Sequence, residues 1–223
     1  LMAEQLDQMG GEQLRRKIES MGVRVHTSKN TLEIVQEGVE ARKTMRFADG
    51  SELEVDFIVF STGIRPRDKL ATQCGLDVAP RGGIVINDSC QTSDLDIYAI
   101  GECARWNNRV FGLVAPGYKM AQVAVDHILG SENAFEGADL SAKLKLLGVD
   151  VGGIGDAHGR TPGARSYVYL DESKEIYKRL IVSEDNKTLL GAVLVGHTSD
   201  YGNLLKLVLN AIELPENPDS LIL

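Results

Sequence analysis

Cysteine is scarce in this chain of 223 residues: only Cys74, Cys90 and Cys103 occur, widely spaced, and none forms a Cys-x-x-Cys pair. A zinc knuckle and a dithiol redox motif are therefore excluded, and reduced thiols in a cytoplasmic setting are expected. Tryptophan occurs once, at Trp106. No stretch approaches the roughly 20 apolar residues that a membrane-spanning helix needs. Basic residues are the minority, 24 Lys and Arg against 32 Asp and Glu, for a net charge of −8. The basic footprint of a nucleic-acid binder is missing, as is a Lys/Arg cluster facing a membrane, so neither partner is expected. No charged-then-apolar stretch reads as a secretory signal.

Glycine, by contrast, is raised, with 23 residues, which implies many tight turns and close backbone approaches. An apolar fraction of 43% and a charged fraction of 25% are those of an ordinary globular chain. The length suits one large domain or two small ones. The chain opens at Leu1-Met2-Ala3-Glu4 and stops at the apolar Ser220-Leu221-Ile222-Leu223, so it reads as a piece of a longer polypeptide.

Asp7 is placed to N-cap a helix running to about Met21, with Leu14, Ile18 and Met21 on one face and Gly22 as the stop. A short strand is expected at Val23–His26, and further strands near Leu32–Gln36 and Ala41–Phe47, closed by the Asp49-Gly50 hairpin turn. The continuous apolar run Phe57-Ile58-Val59-Phe60 suits a strand buried on both faces. A short helix from about Asp68 to Cys74 precedes strands at Ile84–Ile86 and, buried, at Ile97–Ile100. A helix then begins near Pro116, a residue favoured at the first helical position, and ends at Leu129-Gly130. The acidic stretch Ser131–Asp139 marks a boundary. Beyond it the pattern becomes antiparallel: Lys143–Val151, Ser166–Leu170, Glu175–Val182 and Leu189–Val195, then a helix over Ser199–Ile212 that Pro215 terminates.

Three places could carry chemistry. At Ile97-Tyr98-Ala99-Ile100-Gly101-Glu102 an apolar strand delivers a glycine and then an acid at its carboxyl end, where open α/β folds bind ligands. The glycine admits a close approach and the acid offers acceptor lone pairs to sugar hydroxyls; a plain turn at a strand end would look the same. At Gly112-Leu113-Val114-Ala115-Pro116-Gly117 a helix start presents free amides to an anion or an electron-rich carbonyl, or is an ordinary helix start. At Ser61-Thr62-Gly63-Ile64-Arg65-Pro66-Arg67 a strand ends in glycine and a basic, proline-stiffened crossover, whose arginines suit a phosphate or simply solvent.

The order of these elements resembles the latter part of the two-dinucleotide-binding flavoprotein reductases, the FAD-dependent pyridine-nucleotide oxidoreductases. That resemblance implies an α/β fold: a partial two-dinucleotide-binding flavoprotein fold with an α+β C-terminal interface domain. It puts Gly101 and Glu102 on the motif that binds the ribityl chain of FAD. It puts Ala115 and Pro116 on the helix that meets the flavin pyrimidine, and Gly63 near the nicotinamide-side crossover. Gly101-Glu102-Cys103-Ala104 with Phe111–Pro116, and the C-terminal Tyr177-Lys178-Arg179-Leu180 and Leu190–Gly196, narrow the resemblance to the large subunits of NAD(P)H-dependent nitrite reductases. His197 and Leu95 depart from that pattern, which usually has Asp and Pro there.

The implied division is residues 1–62 as the end of the NAD(P)-binding domain, 63–135 as the end of the FAD-binding domain, and 140–223 as the reductase C-terminal domain. The implied cofactors are FAD and NAD(P)H, with siroheme and iron–sulfur clusters whose ligands lie outside this chain. The implied partners are the rest of the parent polypeptide, a small subunit and a second copy in a homodimer. The family's Gly-x-Gly-x-x-Gly turns are expected before Leu1; Gly153–Gly159 has the wrong spacing for one and reads as turns between strands. No acid–base catalyst and no metal ligand is expected here, as suits an enzyme whose cofactor carries the chemistry. The alternatives are a standalone NADH-dependent ferredoxin- or rubredoxin-type reductase and a non-enzymatic interaction module. Cys103 and Trp106 suit either a place near the flavin or plain packing.

Overall fold

A computed structural model describes residues 1–36, 38 and 42–222. Ala41, where the second hairpin strand was expected to begin, and Leu223, the last residue of the apolar ending, lie outside the described residues. The chain forms two compact units, one of Leu1–Val59 with Ser141–Leu223, the other of Phe60–Leu140. Among the described residues no helix is long and apolar enough to cross a membrane.

In the first unit, helix α1 (Gln8–Ser20) begins where expected, with the Asp7 carboxylate accepting from the Gly10 amide at 3.0 Å. Strands β1 (Thr31–Gln36), β2 (Lys43–Phe47) and β3 (Glu52–Val55) form a three-stranded antiparallel meander, and Ala48–Ser51 is the turn between the last two. Asp49 supports that turn by accepting from the Ser51 amide at 3.0 Å. Later strands β6 (Ala142–Leu146), β7 (Val149–Gly155), β8 (Arg165–Asp171), β9 (Ile176–Val182) and β10 (Leu189–Val195) form an antiparallel sheet in the order β6-β7-β10-β9-β8. Helix α4 (Tyr201–Leu209) follows.

Period-two alternation sorts the central strands of this sheet onto two faces. Val149, Val151, Tyr177, Val193 and Val195 meet Leu6, Leu14 and Ile18 on one face. Ile154, Leu180, Val182, Ala192 and Leu194 meet Leu204 of α4 on the other. Gly10 lets α1 lie close to the sheet: a Cβ there would come within 3.1 Å of Val193 and 3.3 Å of Tyr177. Asp7 fastens the same end, since Tyr177 Oη donates to its Oδ2 at 2.7 Å and Arg179 Nη1 does so at 3.0 Å. Burial, and then the Asp7 carboxylate, hold the Tyr177 phenol above its ordinary pKa.

The second unit is smaller. It comprises helix α2 (Lys69–Gln73), strand β4 (Ile84–Ile86), a 3₁₀ turn at Gly101–Cys103, strand β5 (Ala104–Trp106) and helix α3 (Val114–Ile128). Strands β4 and β5 pair in parallel. Ile86, Cys90, Ala99, Ala104, Phe111, Met120, Val123, Ala124 and Phe135 form the core of this unit.

Several sequence expectations need correction. Val23–His26 and Phe57–Phe60 are not strands, and Phe57, Val59 and Phe60 are 79%, 73% and 70% exposed rather than buried. An apolar run becomes a buried strand only with a neighbour to complete its ladder, and no described residue pairs with either run. Ile97–Ile100 is likewise not a strand: Tyr98 makes one isolated bridge to Gln91, and only Ala99 is fully buried. The expected strand Lys143–Val151 is a hairpin, because Leu147 and Gly148 both take positive φ and turn the chain. Helix α3 starts two residues before Pro116, which therefore stands third, still within the turn whose amides lack helical partners. Helix α4 ends at Leu209, well before Pro215, as Ala211 turns to a φ of 46°.

Two outcomes follow. Asp7→Ala removes a cap and two side-chain bonds together, and should cost roughly 2–4 kcal/mol in urea unfolding followed by circular dichroism; a loss below about 0.5 kcal/mol would refute the tether. In the second unit, burial and then the Asp88 charge push the Cys90 thiol up to about 11. A raised folded-state pKa means that stability is complete below the ordinary thiol value and falls as pH rises toward 11. Urea midpoints measured from pH 8 to 11 should decline, and Cys90→Ala should flatten that decline.

Candidate functional site

The site lies in the second unit, where the chain leaves Ile100 and meets the start of α3. Gly101 adopts φ +76°, a left-handed conformation that a side chain would strain. Its position is fixed from the α3 side. Gly117 has no side chain to keep α3 away, and a Cβ there would lie 3.4 Å from the Gly101 Cα. One turn further on, the buried Met120 Sδ accepts the Gly101 amide at 3.2 Å. The next residue, Glu102, then projects beside Gly112: its Oε1 is 3.4 Å from where a Gly112 Cβ would stand, with Ile64 Cδ1 at 3.6 Å.

Glu102 is exposed, and its carboxylate makes no hydrogen bond or ion pair among the described residues. It is thus an acceptor with all its lone pairs available. Opposite it, the N-cap of α3 is Leu113, whose side chain cannot cap. Pro116 has no N–H, so the first-turn donors left free of helical partners are the amides of Val114 and Ala115. Ala115 is exposed and Pro116 buried.

Between acid and helix end runs an open cleft of about 500 Å³, lined by Ile100, Gly101, Glu102, Gly112, Leu113, Val114, Gly117, Tyr118 and Ala121. Its rim is apolar: Leu113, Val114 and Tyr118 are 44%, 71% and 74% exposed. A carboxylate, free amides and an apolar wall suit a ligand that carries hydroxyls, an electron-rich carbonyl and a flat ring.

Of the residues expected from sequence, Gly101 and Glu102 line this cleft, and Ala115 and Pro116 occupy the first turn of α3 beside it. Gly63 has a φ of +89° and open space around it but does not line the cleft; its neighbour Ile64 reaches the Glu102–Gly112 contact instead. Sequence reasoning quoted Gly117 only as the end of the helix-start motif and missed Tyr118 and Met120. Their spacing from the helix start was a usable signal, because 117 and 120 share a helix face.

Trp106 packs edge-on to Phe135 and donates Nε1 to Asp88 at 2.8 Å, which is a packing role. Cys103 is half-buried, with its thiol 3.4 Å from the Ile100 carbonyl. His127 Nδ1 meets the Tyr98 hydroxyl at 2.7 Å, and the exposed His197 lies 3.4 Å from Ser199 Oγ. No cluster among the described residues could hold a metal ion. A groove between α3 and residues 132–137 is larger, at about 620 Å³. Its side-chain amides are already spent on a carboxylate: Gln122 and Asn133 both donate to Asp126, at 2.8 and 2.9 Å.

Comparison with solved structures defines the fold. The chain superposes on a ferredoxin reductase from Rhodopseudomonas palustris with a TM-score of 0.75 at 20% identity, over 96% of this chain and 52% of that one. This is the α/β fold of the pyridine-nucleotide flavoprotein reductases, joined to an α+β C-terminal part. The chain belongs to the pyridine nucleotide-disulphide oxidoreductase family, whose model matches residues 1–127, and residues 141–212 match the rubredoxin NAD+ reductase C-terminal domain. Over its whole length it is 98% identical to the nitrite reductase (NADH) large subunit of Escherichia coli strain K12 and 54% identical to the nitrite reductase [NAD(P)H] large subunit of Klebsiella oxytoca. It spans 26% and 23% of those proteins.

The free first turn of α3 makes a prediction. Leu113 already has extended backbone, φ −122° and ψ 155°, as an N-cap requires. Leu113→Ser should therefore cap the Ala115 amide and stabilise the second unit by about 0.5–1 kcal/mol in thermal unfolding. An unchanged or lowered midpoint would mean that this amide is not free.

Proposed function

We propose that this chain is the part of an NAD(P)H nitrite reductase large subunit that closes one side of its FAD pocket. The parent enzyme passes electrons from NAD(P)H through FAD toward iron–sulfur and siroheme centres and reduces nitrite to ammonia. On this reading residues 1–62 end the NAD(P)-binding domain, 63–135 end the FAD-binding domain, and 140–223 are the C-terminal interface domain. The rest of the parent polypeptide, a small subunit and a second copy of the large subunit are the partners, in the cytoplasm.

The observation that carries the reading is the free Glu102 carboxylate facing an uncapped helix start across one apolar-walled cleft. The residues fit the flavin half of FAD. Glu102 would accept hydrogen bonds from hydroxyls of the ribityl chain, and Gly101, with open space where a Cβ would stand, would let that chain lie close. The Ala115 amide and the positive end of α3 would hold the ring carbonyl. Pro116, buried at the third helical position, would stiffen that end without competing as a donor. Leu113, Val114 and Tyr118 would keep water from the ring edge. Gly63 would serve as the pivot where the chain crosses from the nicotinamide side. When bound, FAD supplies hydride acceptance and onward electron release; these residues bind and orient it and act neither as acid nor as base.

Identity across the whole chain to nitrite reductases favours this reading over a standalone rubredoxin-type reductase, although the C-terminal segment alone suits both. The test places this 223-residue segment in the full-length E. coli relative. Glu102→Ala should weaken flavin binding on the order of ten- to a hundredfold, the worth of a charge-assisted acceptor, and Glu102→Asp distinctly less. Equal flavin retention in both variants would reduce Glu102 to a turn residue.

A further inference from the structure

Gly101 meets α3 through an unusual pairing. Its amide has one hydrogen-bond partner among the described residues, and that partner is a thioether: Met120 Sδ, at 3.2 Å. Met120 is fully buried in the core of the second unit, so packing on all sides holds its sulfur against the turn. A thioether is a weak acceptor, but an amide pressed onto a helix face has no good substitute for it. Gly117, on the same face of α3, closes the approach to the Gly101 Cα. Turn and helix are therefore clamped at two adjacent points, by a missing side chain and by a sulfur. The residue that the clamp delivers is Glu102, whose own carboxylate has no partner to fix it.

We propose that Met120 is a positioning residue for the site: its sulfur holds the Gly101 amide and thereby aims Glu102 into the cleft. Met120 touches no ligand itself and acts through the turn. The proposal rests on the flavin reading above, and two measurements keep the two separable.

The first uses the 223-residue chain alone. Met120→Leu conserves volume and removes the acceptor, so hydrogen exchange at the Gly101 amide should speed up severalfold while the urea midpoint changes little. Should that variant fold poorly, norleucine in place of the chain's five methionines exchanges sulfur for a methylene of the same shape, and the Gly101 amide is read locally. Unchanged exchange at Gly101 in the folded protein would overturn the clamp.

The second measurement uses the full-length relative carrying this segment. Met120→Leu should raise the flavin dissociation constant about three- to tenfold, the size of one hydrogen bond. In a Glu102→Ala background the same change should add nothing. An equal additional loss in that background would mean that Met120 acts by packing, and would overturn the proposal. If Glu102→Ala alone leaves flavin affinity intact, the pocket reading falls and Met120 has no carboxylate to position, whatever the exchange data say.

Discussion

A strand is held by the ladder it shares with its neighbours, and the supply of neighbours decides which apolar runs of this chain become sheet. Strand β10 lies between β7 and β9 and has helices over both faces, and all but one of its seven residues are buried. Phe57–Phe60 is at least as apolar, yet it stays irregular and exposed. The difference is not propensity, because aromatic and β-branched residues favour strands in both places. It is whether backbone donors and acceptors can be satisfied in the sheet. Where they cannot, water satisfies them and the side chains remain outside with the backbone.

The same accounting of donors and acceptors shapes the candidate site. Several carboxylates elsewhere in the chain close their own local networks. Asp156 accepts from the Arg160 and Thr161 amides at 2.9 and 2.8 Å, and these and neighbouring bonds hold its pKa below the ordinary range against the cost of burial. Asp200 pairs with the buried Lys178 at 2.7 Å, chiefly through which its pKa is lowered. Asp7 serves three donors. Glu102 has none of this, and the helix end across from it lacks a side-chain cap. Groups left unsatisfied on facing walls of one cleft are what a ligand completes.

Much of this was legible in the residues. Asp7 as a cap, the Asp49-Gly50 turn and the β9–β10 pairing are local features, with their signals within a few residues of one another. The acid after a glycine and the helix start were legible for the same reason. The rest depends on distant partners. Nothing near Phe57 or Ile97 in sequence states whether a neighbouring strand will be there. The Leu147-Gly148 turn was hidden because Leu147 is an unusual residue for positive φ. Met120 was hidden because a methionine on a helix face reads as core. It is core, and only the distance to the Gly101 amide gives it a second part.

The charge balance of the cleft narrows what it can hold. A phosphate beside Glu102 would meet an unneutralised carboxylate in a chain of net charge −8, and like charges that close are costly. The anion-attracting end of the cleft is the first turn of α3, and even there Pro116 removes one of the donors that a phosphate site would use. Two free amides suit a neutral carbonyl better than a dianion. The apolar wall formed by Leu113, Val114 and Tyr118 gains most from a flat, unsolvated surface. On the proposed reading, hydroxyls at the acid, a carbonyl at the helix and a ring between them would be one end of a dinucleotide cofactor, its ring and polyol rather than its phosphates. On that reading Gly101 would matter for the close approach of the polyol, and a glycine-rich loop for the phosphates would not be needed at this end of the cleft.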